Sequence, residues 1–226
     1  MIPLKDENRS KTIPVVNIIL IFTNLAFFMY QHLFAFQEVQ TLFLRLGAIP
    51  YEFTHFVDKD PPALVPVPLT LFTAMFMHGG WIHLLSNMLF LWIFGDNVED
   101  RLGHFRYFCF YLLCGVAGSL SHIATNFHST VPSIGASGAI AGVMGAYMWL
   151  FPRARITTLL IWFVVVQVIR VPAIIMIGYW ILIQILGGLA GWGSRGGAGI
   201  AWFAHVGGFV AGLLLAIKMK KGRRKS

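Results

Sequence analysis

Charge is what this sequence has least of. Only 12% of its 226 residues are charged, about half the usual share for a soluble domain. So few polar groups cannot coat a water-soluble globule of this size. Cysteine is nearly absent too. The two present, Cys109 and Cys114, sit in one apolar run, which excludes a disulfide scaffold. Acids are scarce, with nine against 17 Lys and Arg. That imbalance could point to nucleic acid, but its placement does not. Six of the basic groups fall within the last nine residues, 218–226, directly after an apolar run. A basic tail in that place is a cytoplasmic anchor. Repeats and low-complexity tracts are lacking, and an aromatic content of 15% excludes disorder. What is there is hydrophobic, 57% of the chain. The composition leaves an all-α, polytopic membrane protein with a single domain over 1–226.

Runs long enough to cross about 30 Å of hydrocarbon give six expected transmembrane helices. The first, 15–36, follows Lys5, Arg9 and Lys11, so residues 1–13 should be cytoplasmic. Residues 37–68 mix acids, bases and prolines and read as a large first outer loop lying on the membrane. The run 69–95 would span about 40 Å as one helix. It should therefore break at Gly79-Gly80 and continue from Trp81. Further spans are expected at 107–127, 137–150, 172–190 and 200–217. Fourteen apolar residues at 156–169 are short for a span and read as interfacial or re-entrant. A seventh crossing there would put the basic tail outside, against the charge rule. Both termini are thus expected in the cytoplasm. The absence of a targeting segment suits a bacterial inner membrane.

Polar groups inside a bilayer are expensive, and several here call for an account. Ser137 opens a helix of roughly 14 residues, or about 21 Å, whose inner end is set by Pro152, Arg153 and Arg155. Its outer end should fall below the surface, at the floor of a cleft. A helix start there supplies free backbone N–H groups and a positive dipole end. The competing reading is packing, since Ser137, Ala141 and Gly145 recur every four residues. His205 lies about five residues into the last helix, at a similar depth, and could serve as a general base to that hydroxyl. Gly208 and Gly212 would let its helix pack closely on another. Alternatively it is a structural histidine bonded to a carbonyl. His83 and Asn87 are spaced i, i+4 on one helical face. Both can donate to an oxyanion, or both can serve interhelical polar packing. With no carboxylate nearby and no HExxH pattern, no metal site is expected. Asp96, Glu99 and Asp100 sit at the opposite end of their helix, so a hydrolase here would use a Ser–His dyad without an acid.

Taken together, these residues resemble the rhomboid family of intramembrane serine proteases. The likeness rests on His78, His83-Leu84-Leu85-Ser86-Asn87, Gly135-Ala136-Ser137-Gly138 and Ala204-His205-Val206-Gly207-Gly208. Glu99 and Arg101 match the family's cytoplasmic Glu-x-Arg element, and Trp180 and Gln184 look like its fifth helix. The resemblance implies a six-helix core with its active site open to the extracytoplasmic side. It implies Ser137 as nucleophile, His205 as general base, and His83, Asn87 and the Ser137 amide as oxyanion donors. His78, Gly135 and Gly138 would support the site, while Glu99, Arg101 and Gly208 would be structural. Transmembrane protein substrates and the lipid bilayer are the implied partners, with no nucleic acid, metal or cofactor. Oligomeric state is left open, as is whether the 37–68 loop or the fifth helix gates access. Two departures stand out. No Trp-Arg pair occurs in 37–68, and Ala141 stands where many members carry an aromatic stacked on the histidine. The alternatives are a non-catalytic relative that binds membrane proteins and a small transporter. No inverted repeat or mid-membrane carboxylate favours the transporter.

Overall fold

The structure is a computed structural model of the whole chain. It describes all residues except 9, 34, 163–164, 192–199 and 224–226. Its helices are α1 (Val15–Leu33), α2 (Val39–Leu46), α3 (Pro50–His55), α4 (Thr70–Thr73), α5 (Trp81–Leu102), α6 (His104–Thr125), α7 (Ser137–Leu150), α8 (Ala173–Gly191) and α9 (Trp202–Arg223). Three strands, β1 (Ile2–Asp6), β2 (Arg155–Trp162) and β3 (Val165–Pro172), complete it. Among the described residues, four helical segments are long and apolar enough to cross a membrane: Val15–Leu33, His104–Thr125, Ala173–Gly191 and Trp202–Met219. The chain turns between Phe76 and Trp81, where the glycine pair was expected to break the run. Gly103 separates α5 from α6 at φ 85°, a left-handed conformation that a side chain resists. Between the spans expected at 172–190 and 200–217, residues 192–199 lie outside the described residues. So does the end of the basic tail, whose first part continues α9 to Arg223.

One departure from the all-α expectation is a three-stranded antiparallel sheet, ordered β1-β2-β3. The segment 156–169 is a β-hairpin, with Thr157 opposite Arg170 and Leu159 opposite Val168. Residues 2–6 are not a free tail but its third strand, with Ile2 opposite Leu159 and Asp6 opposite Ile156. The physical reason is composition. Ile156, Thr157, Thr158, Ile161, Val166, Val168, Ile169 and Val171 are β-branched, stiff at χ1, and fit a pleated surface better than a helix. Ile156, Thr158 and Val171 are buried on one face, while Val166 and Val168 are exposed on the other.

The sheet ties the N-terminus to the C-terminal ends of α5 and α7. Asp6 accepts hydrogen bonds from the Tyr147 hydroxyl on α7 and, at 2.8 Å, from Asn97 Nδ2 on α5. Burial pushes the Asp6 carboxyl above its usual range. Nearby, Glu99 caps α1 from a distance. Its two oxygens accept the amides of Val16 at 2.9 Å and Asn17 at 2.7 Å, and one also meets His104. These are orphan donors of a helix start, satisfied by a fully buried carboxylate. Glu99→Ala would strand both amides and is expected to cost about 2 kcal/mol or more. A lower unfolding midpoint in detergent micelles would show it. Asp100→Ala removes two bonds donated by Thr12, from its amide and its hydroxyl, but both are exposed, so it should move that midpoint much less.

α7 is the hub. Every residue from Gly138 to Tyr147 is buried. It meets α9 along glycines, because a Cβ on Gly208 or Gly212 would run into the carbonyls of Gly138 and Gly142. Gly145 makes room in the same way for the α9 backbone at Phe209. α6 joins the seam through Gly118, which faces the carbonyl of Ala204. Small residues thus bring the three helices to backbone contact.

Candidate active site

Ser137 is the first residue of α7 and is held from both sides. Upstream, Ser133 pairs with Ala48 through two backbone hydrogen bonds of 2.9 and 3.1 Å. The Gly135 amide donates to the Ala74 carbonyl at 2.8 Å. Gly135 has φ 121°, and a Cβ there would lie 2.7 Å from His83 Nε2. Both facts require glycine at this turn. From α9, His205 Nε2 comes within 2.8 Å of Ser137 Oγ. Nδ1 of the same ring lies 2.7 Å from Gln184 Oε1 on α8. The hydroxyl and imidazole that the sequence separates by 68 positions are hydrogen-bonded. The glycines that let α9 come so close are Gly138, Gly142 and Gly145, of which only Gly145 belongs to the Ser137, Ala141, Gly145 repeat read as a packing seam.

α5 brings the other two groups. His83 Nδ1 accepts the Gly79 amide at 3.4 Å, which leaves Nε2 as the protonated nitrogen, facing Gly135. Asn87 Nδ2 approaches the same point, 3.8 Å from a Cβ on Gly135. That amide is buried and has no hydrogen-bond partner among the described residues. A buried, unpaired donor is costly and calls for an account. His78 lies behind this pair, its ring edge-on to His83 at 5.0 Å and its backbone paired with the Gln31 side chain. These groups border a cleft of about 1220 Å³, lined by Ser137, His205, His83, Asn87, Trp180 and Gln184 among others.

The remaining candidates lie elsewhere. Gly138 and Gly208 face each other in the α7–α9 seam. Glu99 and Arg101 are at the far end of α5. Ala141 is fully buried. In place of the missing aromatic, Trp180 of α8 stands tilted against the His205 ring, centroids 5.7 Å apart. Sequence reasoning did not place Gln184 or His122 in the site. His122 also lines the cleft. For Gln184 a signal existed: Trp180 and Gln184 are spaced i, i+4, so both share the helical face turned to the imidazole.

The arrangement joins a hydroxyl, a ring nitrogen that can take its proton, and two donors converging on a nearby point. A scan of known family profiles matches residues 67–222 to the Rhomboid domain. The chain belongs to the rhomboid family of membrane proteins. It is 32% identical over 163 residues to Rhomboid protein 1, mitochondrial, of Saccharomyces cerevisiae, covering 70% of this chain and 43% of that one. It is 32% identical over 151 residues to RHOMBOID-like protein 6, mitochondrial, of Arabidopsis thaliana, covering 64% and 41%. Over 80 residues, 35% of this chain and 15% of the relative, it is 42% identical to Rhomboid protease GluP of Bacillus subtilis. The chain spans less than half the length of these relatives.

Proposed function

We propose that the chain is an intramembrane serine endopeptidase that hydrolyses peptide bonds in or near transmembrane segments of other membrane proteins. The observation that carries this reading is the 2.8 Å contact of Ser137 Oγ with His205 Nε2 in an open cleft. In this reading the protein crosses the bilayer six times, with α5 and α7 completing the four apolar spans. Both termini are cytoplasmic, and the cleft opens to the extracytoplasmic side. The 37–68 region lies on the outer face. The basic excess at the N-terminus, at Arg153 and Arg155 and in the tail supports that orientation.

In this reading the steps are as follows. Ser137 Oγ attacks the scissile carbonyl carbon while its proton passes to His205 Nε2. The negative oxygen that develops is met by His83 Nε2–H, Asn87 Nδ2 and the amide at the start of α7. That role accounts for the unpaired Asn87 donor. His205 then gives its proton to the leaving amine, and the acyl-enzyme forms. Water from the cleft surrenders a proton to His205 and attacks the ester, and the return of that proton to Oγ frees the carboxyl product. No metal or cofactor enters these steps. A fluorophosphonate probe on the purified protein should form one covalent adduct, mapped to Ser137 by peptide mass spectrometry. His205→Ala should abolish it. Absence of labelling in the wild-type protein would favour the non-catalytic binding relative instead.

A further inference from the structure

Among the described residues no carboxylate hydrogen-bonds the His205 ring, yet a neutral imidazole works as a base at Nε2 only when the proton sits on Nδ1. The structure places one group at Nδ1, the side chain of Gln184. We infer that Gln184 is a positioning residue that fixes the His205 tautomer, so that the site works as a Ser137–His205–Gln184 relay with a neutral third member. This rests on the hydrolase reading above.

Three observations set the direction of the bond. Gln184 is buried, so its polar atoms must be satisfied within the protein. Its Nε2 is 3.3 Å from the Trp180 carbonyl, which can only accept. The amide nitrogen must therefore point there, and the amide oxygen must point at the imidazole, 2.7 Å away. The flipped amide would set two oxygens against each other. A carbonyl oxygen facing Nδ1 requires Nδ1–H, which leaves the Nε2 lone pair aimed at the Ser137 hydroxyl. Packing holds the pair in register, because Gly187 and Gly188 on α8 leave room for Trp202 and Phe203 of α9. Trp180, one turn before Gln184, leans against the ring at a tilt, centroids 5.7 Å apart. Orientation therefore comes from one helix, α8, through one hydrogen bond and one ring. The fully buried Ala141 contributes no ring to it.

A glutamine differs from an acid in one testable way. It orients the ring but adds no full charge to stabilise the imidazolium. Among the described residues, the hydrogen-bond partners recorded for the two ring nitrogens of His205 are Gln184 and Ser137, and neither is an anion. The test uses the full-length protein in detergent with a single-span substrate. Gln184→Leu should lower kcat by about 10- to 100-fold with KM within about twofold, as for other orienting partners of a histidine. Gln184→Glu keeps an acceptor at Nδ1. It should retain most of kcat while moving the acid limb of the kcat/KM profile to higher pH. Histidine ¹⁵N NMR of the wild-type protein reads the tautomer without activity, and Nδ1–H is expected at His205. Wild-type kcat and an unchanged acid limb in Gln184→Leu, with Ser137-dependent cleavage intact, would overturn this inference alone. So would an Nε2–H tautomer in the wild-type protein. A wild-type protein with no Ser137-dependent cleavage would overturn the hydrolase reading itself.

Discussion

Ser137→Ala is expected to bring cleavage of a single-span substrate in proteoliposomes to background, a loss of about 10⁴-fold or more. The variant should still fold. The hydroxyl faces the cleft, whereas α7 is held by its buried stretch from Gly138 to Tyr147. The unfolding midpoint should therefore stay close to that of the wild type. His205→Ala should lose as much, and the double variant little more than either single one. Groups that act as one unit are not additive, because the first removal already disables the step the second would affect. This pattern separates a dyad from two residues that merely stabilise the cleft. Two residues in contact that only stabilised the cleft would also couple, but their loss would appear as lowered midpoints, with activity falling in proportion to unfolded protein. Cleavage that persists in Ser137→Ala would end the proposed mechanism.

What the sequence made legible follows from local chemistry. Apolar runs mark membrane helices because hydrocarbon leaves no partner for unpaired backbone. Gly79-Gly80 and Pro152 mark ends because each restricts what the backbone can continue. The short serine helix was readable from its length, while similar depths and nearby glycines only allowed Ser137 and His205 to meet, and the resemblance supplied their pairing. What could not be read depends on distant partners. Residues 2–6 pair with β2 across about 150 positions, and nothing local marks them as a strand. The hairpin itself is an apolar run without helical period, where strand and helix are hard to tell apart. Glu99 could be read as structural, but not as the cap it forms on α1, 82 and 83 positions away. Gln184 could be placed on a face, but its bond to His205 depends on how α8 lies on α9, which the chain's pattern does not encode. Trp180 shows the same limit. The absence of an aromatic at 141 was visible, and the ring that substitutes for it was not.

The α7–α9 seam makes the second strong prediction, at residues that touch no substrate. Gly208→Ala should cut cleavage by about 100-fold or more and should also lower the unfolding midpoint. The cause is the place of the new methyl group. It would fall on the carbonyl of Gly138, which is backbone and cannot turn aside as a side chain could. α9 must then move away from α7. Gly138 adjoins Ser137, and Gly208 is one turn from His205, so the separation is transmitted to the 2.8 Å contact almost undiminished. A misplacement of about 1 Å in a reacting pair costs about 10²-fold. Overpacking adds a stability penalty of about 1–3 kcal/mol. The contrasting control is Gly178→Ala on α8, where a Cβ meets nothing within 4 Å. It should leave activity unchanged and should stabilise the helix by about 1 kcal/mol or less. Gly212→Ala should behave like Gly208→Ala in stability, because it would strike the Gly142 carbonyl one turn deeper. Its effect on cleavage should be smaller, because the displacement is centred farther from the reacting pair. That ordering, equal in stability and graded in activity, is what a rigid seam requires. If both variants lost activity only in proportion to unfolded protein, the seam would be shown to support the fold without setting the distance on which the chemistry depends.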